Sequence, residues 1–279
     1  MERNMSSAQE SEFTEHKPLI TAESPFRNYE SNTNQGSRIT HHASRSTDHE
    51  SRITNHASRI TVSLMLFDLD GTLIDSRADL ANSINLMLAD LGRPPLDEAT
   101  VGGFVGDGVR VLVRRCLTAT EPNHLPPSVD LHLKGVELMH THYAEEMFKT
   151  THLYPKVAET LAALDNKLKA VVTSKEVRFT KLILGHFDIS RYFHAIVGGD
   201  TTPARKPDPA PVLEALRLLD GSAPDAVMIG DSENDINAGR AAGTRTCGVT
   251  FGFRTAEQLR LCEPDLLVDR FDQLTEFFA

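Results

Sequence analysis

Four carboxylates, two hydroxyls and a lysine stand where apolar runs of this chain stop. The run Thr61-Val-Ser-Leu-Met-Leu-Phe67 ends at Asp68-Leu-Asp-Gly-Thr72. Extended residues i and i+2 point the same way, so Asp68 and Asp70 converge at one strand tip, and Gly71 lets the chain turn away. The run Leu168–Val172 ends in Thr173-Ser174-Lys175, and Ala195–Val197 is followed by Arg205-Lys206-Pro207-Asp208-Pro209. The run Ala226–Ile229 ends at Gly230-Asp231, then Ser232-Glu-Asn-Asp235. Clustered carboxylates repel one another and hold protons unless a cation sits among them. All-oxygen ligands select a hard ion, and Mg²⁺ takes one or two carboxylates beside water and substrate phosphate. A lysine adds the second positive charge that a phosphoryl group needs. The set reads as a Mg²⁺-dependent phosphoryl-transfer site with a carboxylate nucleophile. Singly, each residue has a plainer reading: an Asp after a strand is commonly a helix N-cap, and a lone lysine is a solvated charge. Joint placement carries the argument.

That placement requires elements that bring the run ends together. The short apolar runs read as buried strands. Helical spacing follows them at Phe179, Leu182, Ile183 and Phe187, at Val212, Ala215, Leu216 and Leu219, and over Asp235–Ala242. Cys247–Thr250 and Leu266–Val268 are expected as the last, edge strands. Alternating strands and helices imply an α/β fold, a parallel sheet with helices on both faces, which binds ligands at the carboxyl ends of its strands. Between the first two strands the pattern is helical throughout. One helix is expected through Leu80, Ile84, Met87, Leu88 and Leu91, closed by Gly92 and Pro94-Pro95. A second carries Val109, Leu112, Val113, Cys116 and Leu117, and a third Leu131, Val136, Met139, Tyr143 and Met147. Two look-alike motifs fail. Asp231–Ile236 lacks the loop glycine of an EF-hand, and Gly102–Gly108 lacks the trailing Gly-Lys-Ser/Thr of a P-loop.

The chain has 279 residues, a formal charge of −10 and a pI near 5.6, a poor match to nucleic acid or an anionic membrane. No run approaches the ~18 apolar residues of a membrane span. The first residues, MERNMSSAQESEF, carry no apolar core of a secretory signal. Cys116, Cys247 and Cys262 form no CxxC pair. These features predict a soluble, cytoplasmic protein. Residues 1–61 hold eight acidic and seven basic residues, and Ser37–Arg45 recurs at Ser51–Arg59 with eight of nine identical. With almost nothing apolar to bury, this tail is expected to be disordered. Its His41, His42, His49 and His56 offer no preformed metal site.

Phe67-Asp-Leu-Asp-Gly-Thr-Leu-Ile-Asp-Ser76 resembles the first signature of the haloacid dehalogenase-like hydrolases. Val172-Thr-Ser174, Lys206-Pro-Asp-Pro209 and Ile229-Gly-Asp-Ser-Glu-Asn-Asp235 resemble the other three, in order. Within that family the chain is most similar to bacterial phosphoglycolate phosphatases, through Val105-Gly-Asp-Gly-Val-Arg-Val-Leu-Val113 and Val197-Gly-Gly-Asp-Thr-Thr-Pro203. The resemblance implies a Rossmann-like core over 62–78 and 152–279, with a helical C1-type cap inserted at 79–151. N-acetylmuramate 6-phosphate phosphatases share much of the pattern. Other sugar-phosphate phosphatases, pyrophosphatases and a catalytically silent phospho-ligand sensor are the remaining alternatives. Three positions depart from the family pattern: Ser174 where Asn is usual, Glu176 where Pro is common, and Lys156 where Gly is usual. All three are expected near the substrate.

The resemblance also implies roles. Asp68 is the nucleophile and Asp70 the general acid and base. Mg²⁺ is held by Asp68, the backbone carbonyl of Asp70, and Asp231, with Asp235 orienting a metal-bound water. Thr173, Ser174 and Lys206 bind the phosphoryl group. Gly106, Asp107, Gly108, Arg110 and Lys175 are candidates for substrate specificity, with Arg114 and Arg178 as further cations for a substrate carboxylate. The expected partner is a small phosphorylated metabolite, and the expected state a monomer or homodimer.

Overall fold

A four-residue run buried on every side chain, Leu64–Phe67, forms β1 at the centre of the fold. Such a run without alternation is what a strand covered on both faces requires. The computed structural model describes residues 61–278. The expectation for the tail therefore lies, save for Thr61, outside the described residues. After β1 come β2 (Ile74–Asp75), α1 (Arg77–Asp90), α2 (Glu98–Phe104), α3 (Val109–Ala119), α4 (Val129–Glu146) and β3 (His152–Leu153). Then follow α5 (Val157–Ala163), β4 (Leu168–Val172), α6 (Val177–His186), β5 (Ala195–Val197), α7 (Ala210–Leu218), β6 (Ala226–Gly230) and α8 (Glu233–Ala242). The chain closes with β7 (Arg245–Val249), α9 (Ala256–Leu261), β8 (Leu266–Val268) and α10 (Leu274–Phe278).

Six strands form one parallel sheet in the order β5-β4-β1-β6-β7-β8. Phe67 lies abreast of Val171 on one side and Ile229 on the other. This register brings Asp68, Thr173 and Asp231 to one end of the sheet. Two apolar clusters cover its faces. Met65, Phe67, Val171 and Ile229 sit in one, Leu66, Ala170, Val172 and Met228 in the other. The α/β expectation holds. The placement of Cys247–Thr250 at an edge does not: β7 is interior, flanked by β6 and β8, and the edges are β5 and β8. A Thr and a Gly in that strand hide its burial from an apolar count.

The helical stretch packs around its own cluster, with Leu80, Ile84, Met87, Leu88, Leu112, Val113, Cys116, Val136, Met139 and Tyr143 buried together. Helix α2 was not anticipated, because Gly102 and Gly103 dilute its helical signal. At the root of this stretch β2 and β3 pair antiparallel, Ile74 with Leu153 and Asp75 with His152. Beside that ribbon Asp79 accepts hydrogen bonds from the backbone N–H of Thr150 and Thr151, at 3.0 and 2.8 Å, and from both hydroxyls, at 2.6 and 2.7 Å. The chain entering the helical stretch is thereby tied to the chain leaving it. Among the described residues no helix is long and apolar enough to cross a membrane.

Candidate active site

Asp68 follows directly from β1 and is almost fully buried. Its Oδ1 lies 2.9 Å from Lys206 Nζ. The same ammonium contacts Asp235 Oδ1 at 2.5 Å and donates to the Val172 carbonyl at 2.8 Å. Lys206 is thus spent on three acceptors at the strand tips. Asp235, fully buried on α8, also accepts from the Ser232 N–H at 3.1 Å and the Ser232 hydroxyl at 2.6 Å. Both Asp235 oxygens are occupied, so it serves as a brace for Lys206 and for the turn into α8. Asp231 accepts from the Phe253 N–H at 2.6 Å. Gly71, at φ +86°, makes this packing possible: a Cβ there would lie 2.2 Å from Asp231 Oδ2.

Asp68, Asp231 and Asp235 present oxygens within 4.8 Å of one another, all three residues buried. Burial, opposed by Lys206, still pushes the Asp68 carboxyl up to about 7. Burial, reinforced by Asp235 and Asp68, pushes Asp231 well above the usual carboxylate range. Among the described residues only Lys206 is in ion-pair contact with these three carboxylates, so the cluster carries excess negative charge. Open carboxylate oxygens on Asp68 and Asp231 and an all-oxygen donor set fit a hard divalent cation. Asp70 takes another direction. Its Oδ1 accepts from the Ser76 hydroxyl at 2.5 Å and lies 3.2 Å from Lys175 Nζ.

These groups open into a cavity of about 80 Å³ between the strand tips and the helical stretch. Asp68, Asp70, Asp231, Thr173, Ser174 and Lys175 line it from the sheet side. Gly106, Gly108, Leu112, Met139 and Tyr143 line it from the helical side. Asp107 and Arg110 do not reach it. Asp107 pairs with Arg115 at 2.6 Å and accepts from Asn234 at 2.8 Å, while the Arg110 carbonyl is bonded to His132. Arg114 lines a separate surface pocket, and Arg178 lies over the Phe179 ring and pairs with Glu176. Of the three departures, Ser174 and Glu176 border the cavity. Lys156 does not: it is exposed, at φ +69°, and pairs with Glu159.

Several wall residues escaped sequence reading. Tyr143 accepts from Lys175 at 2.6 Å. Arg254 lines the cavity, donates to the Val105 carbonyl at 3.0 Å and pairs with Glu233 at 3.2 Å. Ser76 holds Asp70. Helical spacing gives Tyr143 only a core role, and Arg254 belongs to no motif.

A parallel sheet with two acidic strand tips and a buried lysine between them has the charge arrangement that phosphoryl transfer requires. The chain belongs to the haloacid dehalogenase-like hydrolases, whose family model matches residues 65–249. It is an enzyme of that family, and the two sequence relatives described next are phosphatases. It is 37% identical over 220 residues to the phosphoglycolate phosphatase of Vibrio parahaemolyticus, covering 78% of this chain and 96% of the relative. It is 38% identical over 213 residues to phosphoglycolate phosphatase 1 of Pseudomonas aeruginosa, covering 76% and 78%. A crystal structure described as a predicted phosphoglycolate phosphatase from Haemophilus somnus superposes with a TM-score of 0.73 at 32% identity, covering 77% of this chain and 97% of that one.

Proposed function

We propose that this chain is a Mg²⁺-dependent phosphomonoester hydrolase that converts 2-phosphoglycolate to glycolate and phosphate through an aspartyl-phosphate on Asp68. The observation that carries the reading is the buried Asp68–Lys206–Asp235 array, from which Asp68 faces the cavity. The names of the relatives support the substrate.

Asp68 attacks phosphorus with one carboxylate oxygen, forming the acyl phosphate as the P–O ester bond breaks. Lys206 and the Thr173 hydroxyl offset charge on the transferring group. Asp70, held by Ser76, protonates the departing alkoxide and later takes a proton from the water that cleaves the acyl phosphate. Asp68, Asp231 and the Asp70 carbonyl would hold Mg²⁺, which supplies Lewis-acid stabilisation of phosphoryl charge. Asp235 keeps Lys206 in place.

The helices α1–α4 act as a cap that excludes water. Leu80, Val109, Leu112, Met139 and Phe179 make much of the cavity wall apolar, which favours a carbon ester over pyrophosphate. The test is phosphate release from 2-phosphoglycolate, N-acetylmuramate 6-phosphate, glucose phosphates and pyrophosphate, with Mg²⁺ and after chelation. The reading expects the highest kcat/KM for 2-phosphoglycolate and none after chelation. A higher kcat/KM for another substrate would retain the hydrolase and reject the substrate.

A further inference from the structure

Lys175 is a buried cation that the phosphoryl chemistry does not use. Its side chain is 8% exposed and lines the cavity beyond Asp70. Its ammonium donates to the Tyr143 hydroxyl at 2.6 Å, lies 4.3 Å from that ring's centre, and stands 3.2 Å from Asp70 Oδ1. Two of its three N–H directions are accounted for by these acceptors. The neighbouring Ser174 lines the same cavity, and its buried hydroxyl has no hydrogen-bond partner among the described residues. A buried polar atom left unpaired in a ligand cavity calls for a ligand group.

We propose that Lys175, oriented by Tyr143 and assisted by Ser174, receives the carboxylate of the substrate and makes the enzyme selective for phosphate esters of short 2-hydroxy acids. The proposal rests on the reading of Asp70 as general acid. A general acid sits about 3 Å from the ester oxygen it protonates. In a 2-phosphooxy acid one carbon separates that oxygen from the carboxylate. The carboxylate therefore falls in the shell around Asp70, where Lys175 stands. The other cations are less suited. Lys206 is enclosed by Asp68, Asp235 and the Val172 carbonyl, and Arg254 is engaged by Val105 and Glu233. Glu176 also borders the cavity, but its carboxylate is paired with Arg178 at 3.0 Å; His140, whose Nε2 lies 3.2 Å from Glu176, makes no hydrogen bond through that atom among the described residues, and burial favours its uncharged form. Tyr143 is on α4 and Lys175 follows β4, so their bond assembles the receptor from both sides of the cavity.

The experiment compares kcat/KM for 2-phosphoglycolate with that for ethyl phosphate, which has the same ester carbon and no carboxylate. The full-length enzyme is assayed with Mg²⁺ as wild type and as Lys175→Met, Lys175→Arg and Arg254→Met. The proposal expects Lys175→Met to reduce the preference for 2-phosphoglycolate by about ten- to a hundredfold, the usual worth of a charge-assisted hydrogen bond. Lys175→Arg should retain most of the preference, and Arg254→Met should leave the ratio within about threefold. If both substrates lose activity equally in Lys175→Met, Lys175 only holds Asp70 and the proposal is wrong. Should Lys175→Met fail to fold, Tyr143→Phe tests the same receptor: an unchanged ratio overturns it, and a reduced ratio supports it. A wild type that hydrolyses ethyl phosphate as well as 2-phosphoglycolate would reject the substrate reading itself, and the inference with it.

Discussion

Lys206 holds Asp68 at 2.9 Å and Asp235 at 2.5 Å, and all three residues are buried. Removing one partner of a buried ion pair leaves an uncompensated charge, at a cost of about 3–5 kcal/mol. Lys206→Met should therefore lower Tm as well as abolish turnover. Millimolar Mg²⁺ should recover part of the Tm, because added positive charge relieves the same carboxylates. A Tm equal to wild type without Mg²⁺ would contradict the charge argument. At this scale the sequence was most legible. Asp68, Asp70, Thr173 and Asp231 stand at strand ends, Lys206 and Asp235 stand in the segments that follow β5 and β6, and a parallel sheet gathers its strand ends in one place. Ser76, Tyr143 and Arg254 were not legible. Tyr143 and Arg254 act through partners 32 and 149 residues away, and no spacing rule reaches that far.

Helix α5 begins from Lys156 in the left-handed region, at φ +69°. That conformation costs a non-glycine residue about 1–2 kcal/mol, partly offset by the flexibility glycine adds to the unfolded chain. Lys156→Gly should raise stability by about 0.5–1 kcal/mol in denaturant unfolding and leave activity unchanged. A loss of stability would show that the Glu159 ion pair outweighs the backbone strain. The tie at the base of the helical stretch carries a pH signature. Burial pushes the Asp79 carboxyl up, but hydrogen bonds from Thr150 and Thr151 outweigh it and hold it below the ordinary value. The folded pKa lies below the unfolded one, near 4. The contribution is therefore full above about pH 4 and is lost as pH falls through the folded value. Asp79→Ala should cost about 2–3 kcal/mol at pH 7 and flatten the acid limb of stability against pH. An unchanged acid limb would reject the assignment. β4, β5 and β8 were legible as short, mostly apolar runs, and α1, α3 and α4 by the helical spacing of their buried residues. The two-residue strands β2 and β3 were not, since two residues have no period, and α2 was masked by its glycine pair.

Across the whole molecule, three polar bonds close the helical stretch onto the sheet. Arg254 reaches the Val105 carbonyl, Asn234 reaches Asp107, and Lys175 reaches Tyr143. Gly108, at φ +85°, presses beside the Ser174 carbonyl, where a Cβ would come within 3.1 Å. Removing two of these bonds, as Arg254→Ala with Asn234→Ala, should speed amide exchange over residues 105–112 about tenfold or more, while β1 and β4 exchange as in wild type. Equal exchange over 105–112 would mean that apolar packing alone holds the loop. The α/β architecture and the helical insertion were legible in the alternation of strand and helix patterns. The seating of one on the other was not, because it depends on single long-range bonds. The central claim is that Asp68 carries the phosphoryl group. Its most direct test is a single-turnover reaction with phosphate-labelled 2-phosphoglycolate and Mg²⁺, quenched in acid and mapped by mass spectrometry. The account predicts label on the peptide containing Asp68, and a loss of at least about 10⁴-fold in turnover for Asp68→Asn, roughly 5.5 kcal/mol of barrier. Label on another residue, or an Asp68→Asn enzyme that turns over within about tenfold of wild type, would contradict it.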